Sequence, residues 1–480
     1  MDYSHFRRQA AQVIPSPRQL RFLQDPFYAF VHFSPNTYTG LEWGTGKEDP
    51  ALFNPTDLDC DQWVAAIKSA GMTGMVLTAK HHDGFCLWPS KYTRHSVASS
   101  PYKGGRGDVV GEVAEACRRG GLKFGVYLSP WDRNQPLYGT GKPYDDYFVN
   151  QLTELLTNYG EIFDVWFDGA CGACGEGPNG KKQYYDWERY YATIRTLQPG
   201  ACISVCGPDV RWCGNEAGDT RPSEWSVVPR RMMDTERIAS SSQQTDDAAF
   251  RQKKLTAQMQ DLGSREALAD EPELIWYPAE VNTSIRPGWF WHESEDTQVR
   301  PLAELVDIYE KSVGGNATML LNIPPDRDGL FRPQDVQRLQ EIGAYLRRTY
   351  GHDLLTEGGT LTAVPAGLPG HEAACLRAED ESYYQPAAEA LPVEITVQLD
   401  RPAALHRLVL REQLRLSQRV ERFAVDAWVQ DGWRQVTEGT VIGNKKIVPL
   451  PDVITDRLRV RVLDSRGVPA LRFLGVYAAE

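Results

Sequence analysis

Asp164-Val165-Trp166-Phe167-Asp168-Gly169-Ala170 is the stretch that decides the fold class of this 480-residue chain. It reads as a short buried strand, tightly apolar, ended by a carboxylate and released by a glycine. In an α/β barrel, chemistry collects where the strands finish at their C-terminal ends. A carboxylate placed there beside an indole can meet a ligand. An aspartate in that position can also simply cap the next turn, and position alone leaves both roles open to Asp168.

Strands and helices alternate on either side of this segment. Upstream, the pattern predicts a helix over about 16–23 and a strand over 29–34. A helix over 61–70 follows, with Trp63, Ile67 and Ala70 at helical spacing. Strand 74–80 runs into His81-His82-Asp83-Gly84, and then come helix 108–119, strand 124–129 and helix 144–158. Downstream, helix 184–197 precedes strand 202–206, and a polar stretch over 237–269 carries only a weak helical signal from 250 to 262. Strand 274–278, helix 301–313, strand 317–322 and helix 333–348 complete the series.

That makes seven strands, with Glu224-Trp-Ser-Val-Val228 as a candidate eighth. The alternation implies parallel βαβ units. Polar groups follow several different strands, which favours a closed (β/α)8-like barrel over an open sheet. The expectation is a barrel over residues 1–350. From about His352 short β-rich runs separated by turn signals take over, such as Val393–Leu399 and Arg422–Trp428, predicting an antiparallel β-sandwich over 351–480.

Hydrophobic residues make up 41% and charged residues 24%, the balance of an ordinary soluble protein. The net charge of −12, with no Lys/Arg-rich run, argues against nucleic acid or an anionic membrane as partner. No apolar run is long enough to span a bilayer, and residues 1–20 lack the apolar core of a signal peptide. A cytoplasmic location is expected for the chain as given, with a trimmed secreted form as the alternative. The oligomeric state is not legible. Nine scattered cysteines suit reduced thiols. The spacing of Cys171, Cys174, Cys202, Cys206 and Cys213 fits no zinc pattern cleanly.

The strand ends supply the candidate chemistry. His32 closes the first strand, His81-His82-Asp83 follows the second, Tyr127 lies near the end of the third, and Asp168 closes the fourth. Past the fifth comes Trp212-Cys-Gly-Asn-Glu216-Ala-Gly218, a glutamate between glycines. Adjacent histidines in an extended segment point to opposite faces, so His81 and His82 are expected not to share an ion. No HxH or HExxH pattern is present, which favours hydrogen bonding to a polyhydroxyl ligand over a metal.

Asp168 and Glu216 would face one cavity from neighbouring loops. Two such carboxylates are the minimum apparatus for cleaving a glycosidic bond, one at the anomeric carbon and one donating a proton. Loop tryptophans (Trp43, Trp88, Trp131, Trp212, Trp289 and Trp291) suit sugar stacking, though some must serve packing. The residues alone thus reach a glycosidase, retaining or inverting, of unspecified sugar; beside it stand a non-catalytic glycan-binding protein working through its sandwich and a metal-dependent hydrolase using His32, His81 and His82.

Several motifs resemble the α-L-fucosidases of glycoside hydrolase family 29: Phe30-Val-His32-Phe, Lys80-His81-His82-Asp-Gly-Phe-Cys-Leu-Trp88, Gly125-Val-Tyr127-Leu-Ser-Pro-Trp131, Val165-Trp-Phe-Asp168-Gly, Ser284-Ile-Arg286-Pro-Gly-Trp289-Phe-Trp291 and Asn316–Pro325. They run in order over nearly all of 25–345. The resemblance implies a retaining double displacement in a (β/α)8-like barrel, with Asp168 as nucleophile and no metal or organic cofactor. It also implies a fucose site built from His32, Glu42, Trp43, His81, His82, Tyr127, Trp166, Arg286 and Trp289. The segment Arg211–Gly218 resembles the branch that prefers α-1,3- or α-1,4-linked fucose on branched, Lewis-type glycans, with Glu216 as acid/base. The implied partner is a fucosylated oligosaccharide or glycoconjugate.

Overall fold

The computed structural model describes residues 9–169, 177–242, 248–255, 261–388 and 390–478. The Cys171–Cys174 segment lies outside them, as does part of the weak helical stretch over 250–262. All seven cysteines among the described residues are free thiols. No helix among the described residues is long and apolar enough to cross a membrane.

Eight parallel strands form the barrel. They are β1 (Phe27–Val31), β2 (Gly74–Lys80), β3 (Lys123–Leu128), β4 (Asp164–Phe167), β5 (Cys202–Val205), β6 (Arg211–Trp212), β9 (Ala279–Ser284) and β10 (Ala317–Asn322). Their order around the ring is β5-β4-β3-β2-β1-β10-β9-β6, and a parallel bridge between Ser204 and Val210 links the two ends. Helices α2 (Cys60–Ser69), α3 (Val109–Gly120), α4 (Lys142–Asn158), α5 (Trp187–Leu197), α7 (Leu302–Ser312) and α8 (Pro333–Tyr350) belong to the crossovers. Asp59, Asp108 and Asp186 each accept a first-turn N–H at the start of α2, α3 and α5, an N-cap of about 1 kcal/mol each.

Two strand assignments are corrected. Val227–Pro229 (β7) is not a barrel strand; it pairs antiparallel with Leu274–Trp276 (β8) in a separate two-stranded sheet. The run at 274–278 therefore precedes the true barrel strand, β9. That strand is hard to see in the sequence because its inward residues, Glu280, Asn282 and Ser284, are polar. The two-residue β6 is too short to show any period.

No helix separates β5 from β6. The chain turns back within five residues, through Val205 at φ 67°. Gly207 is required there, because a Cβ would sit 2.4 Å from the Ile203 carbonyl oxygen. The Asp209 carboxylate accepts the Ile203 N–H at 2.9 Å and pairs with Arg18 and Arg195. Gln19, in α1 (Pro17–Leu23), donates to the Asp209 carbonyl at 2.8 Å.

The C-terminal part is an antiparallel sandwich of β11 (Gly359–Val364), β12 (Val393–Glu412), β13 (Val420–Val429), β14 (Gly432–Gly439), β15 (Lys446–Ser465) and β16 (Leu471–Ala478). The 20-residue strands β12 and β15 serve both layers, breaking register between Gln398 and Ala403. Val393, Ile395, Val397, Leu408, Leu410 and Leu474 build the sandwich's own core. The opposite face contributes Val409, Ile447, Phe473 and Tyr477 to the core of the barrel. Arg407 pairs with Glu310 of α7 at 3.0 Å, so the sandwich is welded to the barrel's flank.

Candidate active site

Alternation along the strands carries layers of side chains up the barrel interior. On β1, Tyr28 and Phe30 belong to the interior cluster while Phe27, Ala29 and Val31 pack outward. Beyond the strand His32 continues the inward series and reaches the mouth. Asp164, Trp166 and Asp168 climb in the same way along β4, as Val165 and Phe167 face the helices.

The lowest layer holds two fully buried acids, Asp164 and Glu280. Burial raises both carboxyls, Glu280 to about 7, and the charge of Glu280 adds to the rise at Asp164. The Tyr28 hydroxyl donates to Glu280 Oε2, and the Trp166 indole N–H donates to Oε1 at 2.8 Å. Trp166 is thereby fixed from below, with its ring stacked 5.4 Å from Tyr127.

Above this layer opens a hollow with about 720 Å3 of empty volume, counting its open mouth. The structure brings ten of the eleven sequence-predicted residues around it: His32, Glu42, Trp43, His81, His82, Tyr127, Trp166, Asp168, Glu216 and Trp289. Arg286 is not among them. It is fully buried in ion pairs with Asp335 and Asp296, each at 3.0 Å, and so braces the loop that carries Trp289. Trp88, Trp131 and Trp291 are buried away from the hollow, whereas Trp43, Trp212 and Trp289 line it.

His81 and His82 do not face opposite ways. They lie just past the end of β2, where the chain turns, and their ring centroids are 4.2 Å apart. Among the described residues, His81, His82 and Asp168 are the one group of three whose ligand atoms cluster within 4.8 Å. Asp168 Oδ2 already accepts the Tyr127 hydroxyl at 2.8 Å and stands 3.6 Å from His82 Nε2.

The hydrogen bonds assign the tautomers. Ser129 donates its hydroxyl to the Trp131 carbonyl at 2.6 Å, so at 2.7 Å it accepts from His82 Nδ1–H. Asn322 donates its amide N–H groups to Ser284 Oγ and the Trp289 carbonyl, so its Oδ1 accepts from His32 Nδ1–H at 2.8 Å. Burial lowers both imidazoles to about 4 and also holds His81 well below its ordinary value. At neutral pH the hollow therefore presents uncharged Nε2 lone pairs, which accept hydroxyl hydrogens.

Glu216 follows β6, two strands beyond Asp168 rather than one, and closure of the ring brings the pair to one hollow. Burial pushes its carboxyl up to about 7; the Trp289 indole N–H, 3.0 Å from Oε2, opposes the shift and the charge of Asp168 adds to it. Thr283 donates to the Glu216 carbonyl at 2.7 Å and anchors the loop. Gly169 is needed beside Asp168, since a Cβ there would sit 2.3 Å from Ser242 Oγ.

Sequence reasoning missed Phe30, Val205, Ser242, Phe250, Arg251 and Asn282 as lining residues. Phe30 and Asn282 were available from the period of two that joins them to His32 and to Glu280. Ser242, Phe250 and Arg251 come from α6 (Thr235–Ser242) and the short helix Ala248–Arg251, inside the polar stretch whose helical signal is weak and begins only at 250.

A parallel barrel whose mouth unites three carboxyls, Glu42, Asp168 and a Glu216 held near neutrality by burial, with neutral imidazoles and indoles has the apparatus of a glycoside hydrolase. The family model described as Alpha-L-fucosidase matches residues 21–351, and by that match the chain belongs to the α-L-fucosidase family. Alpha-L-fucosidase 1 of Arabidopsis thaliana is 37% identical over 474 residues, covering 97% of this chain and 87% of that protein. A glycoside hydrolase 29 family member from an unknown rumen bacterium superposes with a TM-score of 0.79 at 38% identity, covering 98% of this chain and 78% of that one. A Ruminococcus gnavus GH29 fucosidase, solved in complex with fucose, gives 0.84 at 27% identity, covering 98% and 95%. The activity that follows is hydrolysis of α-L-fucosides.

Proposed function

We propose that this chain is a retaining exo-α-L-fucosidase that prefers fucose α-1,3- or α-1,4-linked on branched, Lewis-type glycans. Asp168 attacks C1 and forms a glycosyl ester as the C1–oxygen bond breaks, and Glu216 gives its proton to the departing oxygen. Water then attacks C1, Glu216 takes the water's proton, and the Asp168 carboxylate is released with fucose. The observation that carries this is Glu216, whose carboxyl sits at about 7 through burial and lines the same hollow as Asp168. A group poised there can donate and retrieve a proton near neutral pH.

Fucose hydroxyls donate to the Nε2 atoms of His32 and His82, and Phe30 and Trp166 offer an apolar wall to the methyl group. The linkage preference rests on the Arg211–Gly218 segment. The test is release of free fucose from Lewis-type trisaccharides and from 2′-fucosyllactose, with the first-formed anomer read by proton NMR. The α anomer, and faster release from the Lewis-type trisaccharides, are expected. A first-formed β anomer would overturn retention, and equal or faster cleavage of 2′-fucosyllactose would overturn the linkage preference.

A further inference from the structure

His292 does not line the hollow, yet it touches a residue that does. Its Nε2 lies 2.6 Å from Glu42 Oε1. The same carboxylate accepts the backbone N–H of Trp289 at 2.8 Å on Oε2 and that of Phe290 at 3.4 Å on Oε1. The loop 288–292 is therefore wrapped around one carboxylate. The fit is close: a Cβ on Gly288 would sit 2.6 Å from Glu42 Oε1 and 2.9 Å from the His292 ring. Trp289 then reaches the other way, its indole N–H donating to Glu216.

We infer that His292 is a positioning residue that clasps Glu42 to the Trp289 loop, setting a fucose-binding carboxylate and the orientation of Glu216 together. The proposal rests on the Glu216 assignment only for its second half. Electrostatics agree with the clasp. The Glu42 hydrogen bond raises His292 above its ordinary value, Glu295 adds to the rise, and Arg251 and burial oppose it. Burial of Glu42 favours its neutral form, but the bonds from His292 and Trp289 and the charge of Arg251 outweigh it and hold the group ionised. The groups facing Glu216 itself are Trp289, Asp168, Arg251 and Glu42.

Two substrates separate the two halves. α-L-Fucosyl fluoride needs little help from an acid, so its KM reads the fucose-binding arm, Glu42 with the Trp289 loop, apart from the proton transfer. A Lewis-type trisaccharide needs the acid, so its alkaline limb in kcat/KM reads Glu216. His292→Ala is expected to raise KM for the fluoride about tenfold, the loss of one bond to a charged group, and to move the trisaccharide's alkaline limb upward. His292→Gln, a neutral side chain that keeps a donor, should restore most of both. Should His292→Ala fail to fold, His292→Asn, too short to reach Glu42, takes its place against His292→Gln. An unchanged KM for the fluoride, or a glutamine variant as impaired as the alanine one, overturns the clasp. Undiminished trisaccharide turnover in Glu216→Gln would instead remove the acid assignment and leave the fluoride result standing.

Discussion

Replacing Trp289 by Phe deletes one hydrogen bond to the proposed acid and keeps an aromatic ring at the mouth. The indole N–H lies 3.0 Å from Glu216 Oε2, and it favours the ionised carboxylate, lowering a group that burial has raised to about 7. Bonds to charged groups contribute roughly 1.5–3 kcal/mol and neutral ones roughly 0.5–1.5 kcal/mol. The bond therefore favours the anion over the acid by about 1–1.5 kcal/mol, or about one pKa unit at roughly 1.4 kcal/mol per unit. Removing it should raise Glu216 by about one unit. The alkaline limb of kcat/KM, followed as free fucose released from a Lewis-type trisaccharide between about pH 5 and 9, should move up by that amount. A limb that stays in place, or moves down, would refute the role given to Trp289.

Asp168→Asn should abolish turnover while leaving the thermal transition near its original temperature, because Asp168 faces the hollow and not the packed core; full activity in this variant would end the nucleophile assignment. Phe473→Ala, which empties part of the shared core under the sandwich, should cost about 3–5 kcal/mol and lower Tm in calorimetry. Glu280→Leu strands the buried Trp166 and Tyr28 donors at about 1–3 kcal/mol each, and urea unfolding should register the loss. His32 and His82 titrate at about 4 in the fold, below an ordinary value of 6.5, so the unfolded chain binds more protons between those limits. Stability is then fully present above about pH 6.5 and is lost as pH falls toward about 4, by up to about 1.4 kcal/mol per pH unit for each histidine. Denaturation curves across that window would check the sign.

The sequence by itself determined the alternation of strands and helices, the change to a β-rich part past His352, and the polar residues at the ends of the strands. These follow from local periodicity, which needs no knowledge of the partner strand. Asp168, His32 and Tyr127 were legible because each ends or nearly ends a short apolar run, rich in β-branched and aromatic residues, that reads as a buried strand. Only the tertiary structure decided which segments close the ring. β6 is two residues long and β9 turns polar side chains inward, so neither displays the apolar signature of a barrel strand. It alone turned His81 and His82 to the same side, since their direction depends on how the chain leaves β2. It also removed Arg286 from the hollow, because beside nearby Asp296 its guanidinium is claimed by Asp335, 49 residues further along the chain and adjacent only once α8 has packed. The proton affinity of Glu216 belongs to the same class: it is set by burial and by the indole of Trp289, 73 residues further along the chain.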